Sequence, residues 1–361
     1  MQRAIPCLLM RGGTSKGAFF RADDLPGDTG ARDRVLLAVM GSPDARQIDG
    51  VGGAHPLTSK VAIVSRSERT GVDLEFLFAQ LQPALDSVDT TANCGNMLAA
   101  VVPFALEVGL FATTGETTTA RVLTLNTAMV CDITVQTPGG AVEYAGAARI
   151  DGVPATAAPI SINFLDTAGS VASALLPTGH VRDCIAGIDV TCIDNGMPLV
   201  ILRADAVGAS GYESVEVLNA NAHLKQRIET LRLAAGHAMG LGDVSAKNYP
   251  KMTLVAPALA GGSLCTRSFI PHVCHDAIGV LAAVTVATAC VLQGSVAHEV
   301  ALVPDGNPKR VSVEHPSGEF SVELELDSAQ GVKRAALLRT ARLLMRGDVM
   351  IPANVWPERL A

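Results

Sequence analysis

The sequence predicts an α+β protein of two similar halves, each a β-sheet wrapped around one central apolar helix. Three observations carry that expectation. Met97-Leu98-Ala99-Ala100-Val101 and Val280-Leu281-Ala282-Ala283-Val284 repeat one pattern about half a chain apart. Each belongs to a stretch that is apolar on nearly every side, opening at a polar cluster (residues 93–96; 272–276) and closing at a glycine (Gly109; Gly294). Short Val-, Ile- and Thr-rich strand signals surround both stretches, and a helix apolar on all faces in such a chain needs a sheet around it.

In chain order, residues 7–10 read as a strand leading to the turn-like run Arg11-Gly12-Gly13-Thr14-Ser15-Lys16-Gly17. Strands follow at 62–64 and 74–77, then the first apolar helix from Met97 to Leu106, then strands at 122–125, 130–135 and 142–144. In the second half, strands at 190–193 and 199–202 flank the turn Asp194-Asn195-Gly196-Met197-Pro198, and a strand at 252–255 comes next. Residues 277–292 are about four short of the ~20 that span a bilayer, so they read as a buried helix and not a membrane segment. A strand at 311–314 follows it. The expected organisation is a first half of residues 1–184, to which a terminal segment of about 340–361 returns, and a second half of 185–339.

The 361 residues are enough for two cores, and at 48% hydrophobic with one Trp and three Tyr the interior is built from Ala, Val, Leu and Ile. A net charge of −7 without any basic run argues against nucleic acid and for a small-molecule partner. The opening Met1-Gln2-Arg3-Ala4-Ile5-Pro6 has no signal-peptide core, so a cytoplasmic location is expected. The eight cysteines are scattered, with neither CxxC pairs nor zinc-ligand spacing, so free thiols and no metal are expected. The oligomeric state is open, a homodimer among the options.

The residues that offer chemistry begin with Cys94. Asn93-Cys94-Gly95-Asn96 sets a cysteine at a helix N-terminus, the backbone position that favours a thiolate without a charged neighbour, so Cys94 is a nucleophile or an acid/base. Lys60, after Ser59, sits where the loop Gly50-Val51-Gly52-Gly53 enters an apolar strand; it is either a base or a lysine snorkelling from a strand end. Gly12, Gly13, Thr14 and Ser15 lack Walker spacing; they form a carboxylate cradle or a plain turn. In the second half Asn195, Gly196 and Met197 form a turn whose backbone can line a site, while Arg267, Ser268, His272 and His275 are candidate carboxylate donors and Cys274 a core residue. Two helix starts facing one cleft would suit a di- or tricarboxylate. No Ser-His-Asp order, GxSxG elbow or GxGxxG after a strand is present, so hydrolase and dinucleotide readings lose ground.

Taken together, Met10-Arg11-Gly12-Gly13-Thr14-Ser15-Lys16-Gly17, Leu57-Thr58-Ser59-Lys60-Val61-Ala62, Asn93-Cys94-Gly95-Asn96 and Asp194-Asn195-Gly196-Met197-Pro198 resemble the PrpF family over nearly the whole chain. Residues 39–50, 267–275 and 313–320 are further specific segments of the likeness. The resemblance implies the diaminopimelate-epimerase-like fold, two pseudo-symmetric halves with the active site between them. It implies cofactor-independent proton transfer in an unsaturated polycarboxylate, by keto–enol tautomerisation or a 1,3-allylic shift, with the family's lysine and cysteine falling on Lys60 and Cys94. A non-catalytic accessory role beside an aconitase-type enzyme is attached to some relatives, and the lysine and thiol weigh against it here. Diaminopimelate epimerases carry a cysteine at each helix start, whereas the repeat sets Ala277 opposite Cys94, with Cys274 about one turn earlier. That departure disfavours a two-thiol racemase.

Overall fold

The computed structural model describes residues 1–91, 93–327 and 332–357. The chain forms two compact units, Met1–Leu165 joined by the segment from Arg339, and Asp166–Leu338. The first boundary falls before the expected 184/185. Residues 166–184 belong to the second unit because Asp194 gathers them: its backbone bonds Gly169 N and Leu175 O, and its carboxylate accepts from Val171 N and Ala172 N, both at 2.8 Å.

In the first unit, β1 (Gln2–Gly12) and β2 (Ser15–Arg21) form a hairpin, and α1 (Thr29–Met40) returns the chain so that β3 (Lys60–Arg66) runs parallel to β2. Asp28 caps α1 by accepting from Ala31 N, and Gly41, at φ 77°, ends it. β4 (Leu74–Leu81) lies antiparallel to β3 and carries the short β5 (Val88–Asp89). After the core helix, β6 (Thr117–Thr124) runs parallel to β4, followed by antiparallel β7 (Met129–Gln136) and β8 (Ile160–Phe164). The closing strand Ala341–Pro352 adds to β1. One sheet face packs Ile5, Phe20, Val61, Ile63 and Ile351 against Leu36 and Met40 of α1.

The core helix of this unit departs from the single helix expected. It is two pieces, α2 (Gly95–Leu98) and α3 (Val101–Glu107), and every residue from 97 to 105 is buried. Pro103 causes the break: it has no N–H for the carbonyl of Ala99, and its ring crowds that carbonyl. The chain bridges the gap with a tighter Ala100 N to Met97 O bond (3.0 Å), and regular pairing resumes from Phe104 N to Ala100 O (2.9 Å). Residues 142–144 are not a strand. After the Pro138–Gly140 turn they hold the chain by isolated bonds, Glu143 N to Gln136 O and Ala158 N to Tyr144 O, with no ladder.

The second unit repeats the plan. β9 (Asp183–Ile185) pairs β10 (Ile188–Asp194), which forms a hairpin with β11 (Pro198–Arg203). Helices α4 (Val215–Ala220) and α5 (Ala222–Ala238) return the chain to β12 (Lys251–Pro257), parallel to β11, and β13 (Leu264–Phe269) runs back antiparallel. After α6 (Val280–Val291) and α7 (Val296–Val300), β14 (Lys309–His315) lies parallel to β13, then β15 (Gly318–Leu326) and β16 (Val332–Arg339) follow antiparallel. Strand by strand, the sense of pairing matches the first unit. Here α6 is one continuous helix, buried throughout 282–290, and it begins at Val280 with Gly279 as cap, later than the expected Ala277. Met252, Leu254, Phe269 and Cys274 face α5 in a separate core. Among the described residues no helix is long and apolar enough to cross a membrane.

Candidate active site

In the first unit, the β1–β2 turn, the start of β3 and the start of α2 converge. Close approach makes the glycines necessary. A β-carbon on Gly12 would stand 2.3 Å from Asn96 O, and one on Gly13, at φ 51°, 2.1 Å from Asn96 Oδ1. Asn96 Nδ2 donates to Thr14 Oγ1 at 2.9 Å, which locks the turn onto α2. Gly17, paired with Lys60 across β2 and β3, lets both Lys60 O and Met97 Cε approach. Ser15 Oγ is buried without a hydrogen-bond partner, an unspent donor beside this junction.

Lys60 is buried at the first position of β3, and its Nζ donates to Gln80 Oε1, with the Phe78 ring 4.9 Å away. Gln80 is oriented for that task because its Nε2 donates to the carbonyls of Pro56 (3.0 Å), Ser59 (3.2 Å) and Leu81 (2.9 Å). An amide acceptor leaves the ammonium charge uncancelled. Ser59 is fully buried, and its hydroxyl is spent on Gln47 Oε1 at 2.7 Å, so it braces the loop before Lys60.

Cys94 is half-buried and caps α2, with its carbonyl accepting from Leu98 N (2.9 Å) and its N–H bound to Asn93 Oδ1 (2.9 Å). Gly95 opens the helix. The segment reaching Cys94 is tied down by Asn126, whose amide brackets Phe78 N and O and donates to Thr90 O at 2.7 Å. Sequence reasoning missed Asn126 and Gln80. Neither carries a motif, and only the strand register reveals what they hold.

The second-unit candidates divide. The Asn195-Gly196-Met197 turn packs on α6 as Gly12-Gly13-Thr14 packs on α2: a β-carbon on Gly196 would lie 3.1 Å from Leu281 Cδ2, and Thr285 Oγ1 donates to the carbonyls of Asn195 and Met197. Asn195 is itself engaged, accepting from Thr167 Oγ1 (2.6 Å) and donating to Thr288 Oγ1 (2.9 Å). Ser268 pairs with Thr253 at 3.0 Å on the α6 face. Its neighbour Arg267 points the other way, where Nε donates to Glu213 O (2.8 Å) just before α4. His272 also lies on the helical side, 3.6 Å from Glu229 of α5, and Cys274 is in the α5 core, where burial pushes its thiol up to about 11. His275 stays by the α6 start: its Nδ1 accepts from Ala277 N at 2.8 Å, and burial, then Lys251, hold it below the ordinary imidazole range. All eight cysteines are free, and among the described residues no cluster of three or more metal-ligand side chains occurs.

The crystal structure of a methylitaconate-delta-isomerase superposes on this chain with a TM-score of 0.85 at 32% identity, covering 100% of this chain and 99% of that one. Two curated relatives are more similar in sequence. One is the (4E)-oxalomesaconate Delta-isomerase of Novosphingobium sp. (strain KA1), 58% identical over 96% of this chain and 97% of its own length. The other is the 4-oxalomesaconate tautomerase of Pseudomonas putida, 55% identical over 99% of both. Fold and relatives define an isomerase with the diaminopimelate-epimerase-like architecture. The family model described as PrpF protein matches residues 2–352, and the chain belongs to the PrpF family.

Proposed function

We propose that this chain is a cofactor-independent tautomerase that interconverts the keto and enol forms of 4-oxalomesaconate, acting in the cytoplasm within gallate-type aromatic catabolism. The observation that carries the reading is a buried Lys60 ammonium on a neutral acceptor beside Gly17 of β2, and Cys94 at the start of α2, whose Asn96 packs on the Gly12–Gly13 turn that leads into β2. The two relatives named for this substrate support it.

In 4-oxalomesaconate the protons next to the ketone are acidified by conjugation with the ketone and, through the double bond, with a carboxylate. A modest base suffices to remove one. Lys60 and Cys94 divide the removal of that proton from carbon and the delivery of one to the ketone oxygen, which completes the enol; delivery to the far carbon of the double bond instead would complete a related 1,3-shift. Charge accumulates on the ketone oxygen as the enolate forms, and the donor suited to it is the Ser15 hydroxyl, since the Gly13 N–H is already spent on Thr340 O. The Lys60 ammonium also offsets the charge of a carboxylated substrate, since Gln80 does not neutralise it.

Incubating the protein with 4-oxalomesaconate and following the ultraviolet absorbance of the conjugated system tests the reading. Rapid interconversion is expected, and no acceleration over buffer contradicts it. A second reading, an allylic isomerase of a methylitaconate- or 2-methylaconitate-like acid, draws on the full-length likeness to the methylitaconate isomerase structure. The same assay with those acids separates the two by which substrate gives the larger kcat/KM.

A further inference from the structure

Among the described residues Gln80 is the hydrogen-bond partner of the Lys60 amine, and its carboxamide has only one way to face. The strand register sets Gln80 of β4 directly opposite Lys60 of β3, so both side chains leave the same face of the sheet. The amide Nε2 stands among three carbonyl oxygens, those of Pro56 (3.0 Å), Ser59 (3.2 Å) and Leu81 (2.9 Å). A flipped amide would set Oε1 against three acceptors, so the oxygen is held toward Lys60. Two of those carbonyls belong to the segment just before β3, and Gln80 thereby fastens the lysine to the loop that leads into it.

The neighbours of Lys60 in the register are uncharged. Gly17 of β2 lies on its other side, and Phe78, one pair along β4, sets its ring 4.9 Å from the amine. The titratable groups of the elements packed around it are spent elsewhere or face away. Asp89 of β5, opposite Gln80, accepts from Thr91 N (2.8 Å) and Thr91 Oγ1 (2.7 Å). His55 accepts from Leu57 N (3.1 Å), and Glu107 of α3 holds Tyr144 and Arg346. Lys16, next to Gly17, leaves the opposite face of β2. Cys94 at the start of α2 is the group left for chemistry. The kind of acceptor on Lys60 therefore matters. An amide oxygen accepts from an ammonium and from a neutral amine alike, because both keep an N–H to donate, whereas a carboxylate would favour the ammonium. A lysine held by an amide gives up a proton and regains it without losing its anchor.

We infer that Gln80 is a positioning residue for proton transfer, which holds the Lys60 amine in one place through both of its protonation states. The inference rests on the proposed reaction for the role of Lys60. It is tested with Gln80→Met and Gln80→Glu, each checked for a native circular-dichroism spectrum and melting point. Gln80→Met removes the anchor, and kcat is expected to fall about 10- to 100-fold with KM within about threefold, the cost of a displacement near 1 Å at a reacting group. Gln80→Glu keeps the reach and adds a charge, so the limb of the pH profile of kcat/KM that reports the Lys60 amine should move about one unit or more to higher pH. That direction holds whether the amine or the ammonium is the active form, and a merely structural glutamine would move no limb. A native Gln80→Met chain with the parent's kcat, or a Gln80→Glu profile that superposes on the parent's, overturns the inference. Gln80→Glu matches the parent side chain in size and carries the test alone if Gln80→Met does not fold. Carbon NMR titration of lysine labelled at Cε, with the Lys60 signal identified by its loss in Lys60→Met, reads the same shift without turnover. A parent that turns over none of the acids, while Gln80→Glu still raises the Lys60 titration, overturns the reaction and keeps the coupling of the two side chains. An active parent whose Lys60 titration is unmoved by Gln80→Glu overturns the role of Gln80 alone, and an inactive parent with an unmoved titration overturns both.

Discussion

The two core-helix starts share a plan and differ in what they leave free. In the first unit the helix opens at Cys94, is broken by Pro103, and adjoins a Gly-Gly turn whose following Ser15 hydroxyl is unspent. In the second it opens at Gly279, runs unbroken, and adjoins a turn whose Asn195 is consumed by Thr167 and Thr288. Both strands that begin beside these starts open with lysine. The difference is in what each start offers: a thiol and a buried lysine in the first unit, and in the second no cysteine at the helix start. Two matched thiols would suit inversion at one carbon, and one thiol with one lysine suits the removal of a proton from one atom and its return to another.

The comparison breaks most visibly at the first start. Cys94→Ala and Lys60→Met should each lower kcat by about 10²- to 10⁴-fold with native circular dichroism, the usual worth of a positioned acid or base; activity within tenfold of the parent in either variant removes that residue from the chemistry. Gly12→Ala comes next. Its methyl must displace the backbone oxygen of Asn96, and a shift near 1 Å in the junction should lower kcat/KM by about 100-fold in steady-state assays.

The second start responds differently. Asn195→Ala takes the acceptor from buried Thr167 and a donor from Thr288, which keeps its bond to Val284 O, so its effect should appear as about 1–3 kcal/mol lost in urea unfolding, with a smaller change in kcat than Gly12→Ala. His272→Ala should be the mildest, within about twofold of the parent in kcat and KM, because the imidazole sits against Glu229 on α5. A large effect there would mean that the α5 side takes part in binding.

Much of this was legible in the residues. All-apolar helices and β-branched strands announce themselves by periodicity, and a helix-start cysteine and a strand-entry lysine stand out by type. The break at Ala99–Ala100 was also written in the sequence, in Pro103. What stayed hidden was facing. Residues 266–276 read as one polar cluster, yet alternation along β13 sends Arg267 toward α4 and α5 and Ser268 toward α6. Gln80 and Asn126 act across the sheet register, and no local pattern predicts which backbone atoms they reach.

The central claim is that Lys60 and Cys94 remove and return the proton on the carbon next to the ketone. Proton NMR of 4-oxalomesaconate in deuterated water, with the parent, Cys94→Ala and Lys60→Met chains, tests it most directly. The account predicts enzyme-dependent deuterium exchange at the carbon next to the ketone in the parent and none above buffer in either variant. Exchange at the parent's rate in Cys94→Ala or Lys60→Met would contradict it.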